Sequence, residues 1–266
     1  MLRLSSKNPR IAEIRALARQ RRARAESGRF LIEGPKLISE ALAAGVEVEA
    51  IFVDSANGWD STGVQRVVDD AYQVGDIELF ELDAGLLDRI GASRSPQPVL
   101  AVAKTAVHGF DTIEDNASLV LVAVDVNDPG NMGTLMRSAV AAGADAIVSL
   151  GTSVDVFSPK TVRSSAGAMF HVPMVVEGDP IAGLDALAVK GFLRVGTAMD
   201  AAQSLPATDL TRKVAIVMGS EAHGLAATLG TSIDEWVSIP MVGPTESLNV
   251  AMAATIMLYE SLRQRQ

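Results

Sequence analysis

A chain of 266 residues that is 48% apolar but only 4% aromatic builds its core from Ala, Val, Leu and Ile, a mix suited to α/β packing. It has no Cys, which excludes a disulfide framework, a thiolate metal cluster and any cysteine-nucleophile mechanism. The net charge of −9 argues against nucleic acid, yet residues 1–30 hold nine Lys/Arg against two Glu, a basic arm on an acidic body. His108, His171 and His223 lack metal-ligand spacing, so no metal is expected. No apolar run approaches a bilayer span and no signal-peptide stretch is present, so a cytoplasmic protein with no membrane attachment is expected.

Asn8-Pro9 reads as a cap followed by Pro at the first helical position, with Ile11, Ile14, Leu17 and Ala18 at helical spacing and Gly28 as the stop. Arg15, Arg19 and Arg22 lie on a neighbouring stripe of that helix. Strands follow near 29–33, 48–53, 77–82 and 99–103, with helices near 35–44, 62–73 and 84–90. Residues 92–98 form a turn-rich loop. A first domain, 1–105, ends at the polar, aperiodic linker 106–116. The second, 117–266, opens on the unbroken aliphatic run 119–124, with further strands at 145–150, 172–176, 193–197, 213–218 and 236–239. Helices fit 132–142, 159–168, 180–189 and 247–263, an alternation that calls for parallel pairing.

Three segments carry chemistry, each placed after an aliphatic strand. In Asp128-Pro-Gly-Asn131, the turn leads into a helix for which Asn131 is a good cap. Arg137 lies six residues on, where its fork of donors suits a phosphate or ribose oxygen, or simply a surface carboxylate. In Met218-Gly219-Ser-Glu221, a strand ends in Gly, which lets a ligand approach the backbone. Glu221 reads as a hydrogen-bond acceptor for a substrate, an orienting group for an Arg, or a helix-start carboxylate. In Ile239-Pro-Met-Val-Gly243, a strand and turn precede Ser247 and Asn249, placed in the first turn of the last helix. None of these is a strong general base, which favours positioning of an activated donor over acid–base hydrolysis. No dinucleotide fingerprint or Walker lysine is present.

Asn131-x-Gly-x-x-x-Arg137, Gly219-x-Glu221-x-x-Gly224 and Ile239-Pro-Met-x-Gly-x-x-x-Ser247-Leu-Asn249 resemble, in order and spacing, the three motifs of the SpoU/TrmH-type RNA methyltransferases of the SPOUT class. Residues 30–104 are similar to the family's accessory substrate-binding domain, related to RNA-binding ribosomal proteins. The resemblance implies a parallel-sheet carboxyl-terminal domain with a deep trefoil knot, and a smaller α/β amino-terminal RNA-binding domain. It implies a homodimer that transfers a methyl from S-adenosylmethionine to a ribose 2′-hydroxyl, with 23S ribosomal RNA the first choice and transfer RNA the second. Thr197, Gly219, Ile239 and Leu248 would hold the cofactor, and Arg137 would engage the hydroxyl. Asn131, Glu221, Ser247 and Asn249 would order Arg137, substrate and knot. RNA would lie along Arg15, Arg19, Arg22 and Arg24, and along Lys160 and Arg163 of the family-like segment 158–163.

Two departures stand beside the first motif: Asp125 to Asp128 is one residue tighter than usual, and Val140 replaces a common Asp. A non-catalytic RNA-binding or ribosome-associated module on the same fold is the rival, distinguished by RNA binding without cofactor affinity.

Overall fold

A computed structural model describes residues 1–56, 58–59, 61–90, 95–220, 224–225, 227–244 and 247–266, without the side chains of 227–228. The candidate Glu221, and part of the loop expected at 92–98, lie outside the described residues. The chain opens with β1 (Leu2–Leu4), α1 (Pro9–Arg19), α2 (Arg21–Ser27), β2 (Arg29–Glu33) and α3 (Pro35–Ala43). It continues with β3 (Val48–Asp54), α4 (Thr62–Val74), β4 (Glu78–Leu82), α5 (Leu86–Ile90) and β5 (Val99–Lys104). Beyond the linker come β6 (Leu119–Val124), α6 (Pro129–Ala141), β7 (Ala146–Leu150), α7 (Pro159–Ser165), β8 (Met174–Glu177) and α8 (Pro180–Val189). The last elements are β9 (Leu193–Thr197), β10 (Gln203–Ser204), β11 (Val214–Met218), β12 (Glu235–Ser238) and α9 (Val250–Arg265).

The chain divides into two compact units. The first joins Met1–Thr105 with Asp155–Phe170, so it is discontinuous in sequence. Its sheet runs β1-β4-β3-β5-β2, with β5 antiparallel to both neighbours and the other pairs parallel. Phe30 of β2 packs on Phe157 at 5.1 Å and Phe170 at 6.5 Å, so the remote segment completes this core. The single helix expected from Asn8 to Gly28 is two. Asn8 does cap α1, accepting from Arg10 N–H, but Gln20 is extended and separates α1 from α2. Gly28 closes α2 at φ 64°, the left-handed conformation for which glycine carries no steric penalty. The strand at Leu2–Leu4 escapes sequence reading because three residues give no usable alternation.

The second unit, Ala106–Val154 with His171–Gln266, holds a seven-stranded parallel sheet ordered β10-β12-β9-β11-β6-β7-β8. Every residue of β6, β7 and β11 is buried, the physical reason their sequences are Val, Ile, Leu and Ala apart from Ser149 and Met218. Asp128, Asp179 and Asn249 cap α6, α8 and α9 through their side chains, and Pro occupies the first turn of α6 and α8. Because all seven strands run the same way, the loops after β6, β9, β11 and β12 leave the sheet at one edge.

Candidate active site

At that edge a cavity of about 550 Å³ opens over the carboxyl ends of β9, β11 and β12, within the size range of small-molecule sites. Thr197 and Met199 line it from β9, Met218, Gly219 and Ser220 from β11, and Trp236, Ile239 and Met241 from β12. Ser247, Leu248, Val250 and Ala253 close it from the start of α9. Thus Thr197, Gly219, Ile239 and Leu248, expected to share one ligand, do share one cavity, with Ser247 beside them.

Glycine is obligatory at 219: a Cβ there would run into the carbonyl of Gly224 and the amide of Leu225. The close approach is held by paired backbone bonds between Ser220 and Gly224, 3.1 and 2.9 Å. In sequence, Gly219 reads as room for a ligand; the turn's own backbone is what crowds it. On the adjoining strands, Asp234 takes hydrogen bonds from Arg194 Nε and Nη2 at 2.8 and 2.7 Å, which clamps the start of β12 to β9. The Arg194 side chain holds the Asp234 carboxyl below its ordinary range, with the Arg194 backbone N–H adding to the effect.

Asn131 and Asn249 meet although 118 positions separate them: Asn249 Nδ2 donates to Asn131 Oδ1 at 3.0 Å. Asn249 Oδ1 meanwhile caps α9, accepting from Ala251 and Met252 N–H. Two expectations are corrected here. Asp128, not Asn131, caps α6, its carboxylate accepting from Asn131 N–H at 2.9 Å. Asn131 is left inside the first turn with its side-chain oxygen open to Asn249. Ser247 also lies before α9, and Asn249 is its cap, so neither sits within the helix.

Arg137 is exposed on α6, makes no hydrogen bond or ion pair among the described residues and does not line the cavity. The remaining basic candidates belong to the first unit and separate into two groups. Arg19, Arg22 and Lys160 are exposed, Arg15 is half-buried, and Arg163 is exposed beside Glu33 at 3.3 Å. Arg24 is the correction: it is 6% exposed and bonds Asp155 at 2.6 Å and the Leu17 carbonyl. A guanidinium so occupied cannot track phosphates. Met199, Met218 and Trp236 belong to no motif; the one sequence signal of the two methionines is a position at or just past a strand end on the loop-bearing edge, and Trp236 lies within β12.

The fold is that of an α/β protein with a cavity of small-molecule size at its strand ends. Residues 118–259 match the SpoU rRNA methylase family and residues 8–101 the MRM3-like substrate binding domain; the chain belongs to the SpoU rRNA methylase family. It is 32% identical to the 23S rRNA (uridine(2479)-2′-O)-methyltransferase of Streptomyces viridochromogenes, over 99% of this chain and 92% of that protein. It is also 32% identical to the 23S rRNA (guanosine(2553)-2′-O)-methyltransferase RlmP of Bacillus subtilis, over 96% of each. The crystal structure of the SpoU methyltransferase AviRb from S. viridochromogenes in complex with AdoMet is similar at a TM-score of 0.88 and 31% identity, covering 97% of this chain and 98% of that one.

Proposed function

We propose that the protein transfers a methyl group from S-adenosylmethionine to a ribose 2′-hydroxyl of RNA, with 23S ribosomal RNA as substrate. The observation that carries this reading is the strand-end cavity, where Thr197, Gly219, Ile239, Ser247 and Leu248 converge in a SpoU-family domain. The residues present fit the cofactor. Met199, Met218, Leu225 and Trp236 offer an apolar lining for a purine, while the irregular backbone at Gly219, Ile239 and Leu248 offers donors and acceptors for its polar groups. When bound, S-adenosylmethionine supplies an electrophilic methyl on a sulfonium.

The protein's own part is placement. Arg137 cannot serve as the proton acceptor, because a guanidinium is not deprotonated in proteins. Its role is to hold the ribose oxygen and the adjoining phosphate by charged hydrogen bonds, while phosphate or water takes the proton. The Asn131–Asn249 bond fixes α6, which carries Arg137, to the cap of α9, which closes the cavity.

The reading includes a trefoil knot in the carboxyl-terminal segment, a homodimer and a cytoplasmic site of action. In favour of the homodimer, Met252, Ile256 and Tyr259 of α9 are 62, 40 and 48% exposed at i, i+4 and i+7, an apolar stripe suited to a second copy. No described helix is long and apolar enough to cross a membrane.

Purified protein, labelled S-adenosylmethionine and separate 23S and transfer RNA test the assignment. Label in 23S RNA supports it, and label confined to transfer RNA reassigns the substrate. RNA binding with no transfer to either returns the protein to the non-catalytic module.

A further inference from the structure

The turn before the first motif has a feature that the proposed chemistry does not use. Asp125, at the carboxyl end of β6, adopts φ 53°, a left-handed conformation uncommon outside glycine and tolerated best by Asn and Asp. Only Val126 and Asn127 stand between it and Asp128, the cap of α6, and the left-handed residue lets so short a connection reverse into the helix.

The conformation is held from outside the motif. Asp125 Oδ1 accepts from Thr152 N–H at 2.7 Å and from the Thr152 hydroxyl at 2.8 Å, in the loop after β7. Val126 N–H donates to Ser153 Oγ at 3.1 Å, and Val154 N–H donates to the Val126 carbonyl at 2.9 Å. Asn127 Nδ2 donates to the Asp125 carbonyl at 2.9 Å. Gly151, at φ 68°, makes room: a Cβ there would collide with the Asp125 carboxylate. Two residues after this latch, Asp128 caps α6, and that first turn presents Asn131 to Asn249.

We infer that Asp125 is a positioning residue for methyl transfer, its carboxylate gripped by Thr152 so that the short turn sets α6, Asn131 and Arg137 in register. The inference rests on the methyltransferase reading above and adds a residue to it. No latch residue lines the cavity, so cofactor affinity and turnover must respond differently. This separates a positioning role from general loosening of the fold.

The test compares the full-length wild type with Asp125→Ala, Asp125→Asn and Thr152→Val. Methyl transfer to 23S RNA, S-adenosylmethionine affinity by calorimetry and amide hydrogen exchange of a 129–137 peptide are measured on each. Asp125→Ala is expected to lower kcat about tenfold or more and leave the cofactor Kd within about twofold, with faster exchange at 129–137. Asp125→Asn keeps the left-handed tolerance and an acceptor oxygen, and is expected to restore most of kcat. Thr152→Val loses one donor and keeps its volume, so it falls between them. Should Asp125→Ala misfold, Thr152→Val carries the same test. Unchanged kcat with unchanged exchange in the Ala and Val variants overturns the inference, as does an equal loss of kcat and cofactor affinity. If the wild type transfers no methyl, the functional reading fails, and the exchange measurement alone decides whether the latch sets the helix.

Discussion

The two units reach their cores by opposite routes. The second is a parallel sheet whose central strands are buried apolar runs, and β6 leads directly through a short turn into the capped helix α6. The first has a mixed sheet and a core finished by a segment that arrives 50 residues after its fifth strand: Phe157 and Phe170 pack on Phe30, and Asp155 holds Arg24. Local pattern suffices for the former. The latter depends on partners that no local window contains.

The sharpest way to break this contrast is Asp155→Ala. It leaves the Arg24 guanidinium buried without its carboxylate, and breaking such a pair costs about 3–5 kcal/mol. Urea unfolding should show a loss of that size, and a fragment of residues 1–105 should lose more, because it also lacks Phe157 and Phe170. A loss below about 1 kcal/mol, the range of exposed ion pairs, would place Arg24 in solvent and restore it to an RNA-facing stripe.

Next in size, Arg137→Ala should reduce methyl transfer by about 100-fold or more, as for removal of a charge-stabilising donor at a reaction centre. Circular dichroism and melting should stay unchanged, because the side chain is exposed and bonds nothing among the described residues. Full activity of this variant would remove Arg137 from the mechanism.

Acid should act on the second unit through three depressed carboxyls. Arg194 holds Asp234 down, Thr211 holds Asp209 down, and hydrogen bonds from Arg263 and then Gln264 hold Glu260 at about 2. Each binds its proton less readily folded than unfolded, so its contribution is complete above the ordinary carboxylate range and fades as pH falls through the folded value. Stability should therefore be flat above about pH 5 and decline between about pH 4.5 and 2. Glu260→Gln should flatten the lower part of that decline; an unchanged acid limb contradicts the assignment.

The smallest effect belongs to the exposed arginines. Replacing Arg19 and Arg22 by Ala should reduce the salt slope of RNA affinity by roughly 0.7–0.9 for each phosphate left without its cation. An unaltered slope would make the arm an ordinary solvated surface.

Much of the molecule is legible in the chain. Val, Leu and Ile runs locate the buried parallel strands, and Asn8-Pro9 marks the start of α1 by capping chemistry, whereas α6 starts at Pro129, ahead of the helix expected from 132. Gly219 is legible as a special backbone position, though its crowding by Gly224 and Leu225 is a tertiary fact. The break at Gln20 is not legible, because helix-forming residues flank it on both sides. Asn131 and Asp128 both suit the role of cap, so residue type alone cannot rank them. Only the observed bond from Asn131 N–H to the Asp128 carboxylate separates them. Met199 and Met218 of the cavity are also silent in sequence, since an apolar residue at a strand end reads as core.

The most direct test is to incubate the pure protein with 23S RNA and isotopically labelled S-adenosylmethionine, then digest the RNA to nucleosides. Label is expected in a single 2′-O-methylnucleoside and absent with the Arg137→Ala variant. Label on a base, or none in any nucleoside while the wild-type protein remains folded, would contradict ribose methylation by this chain.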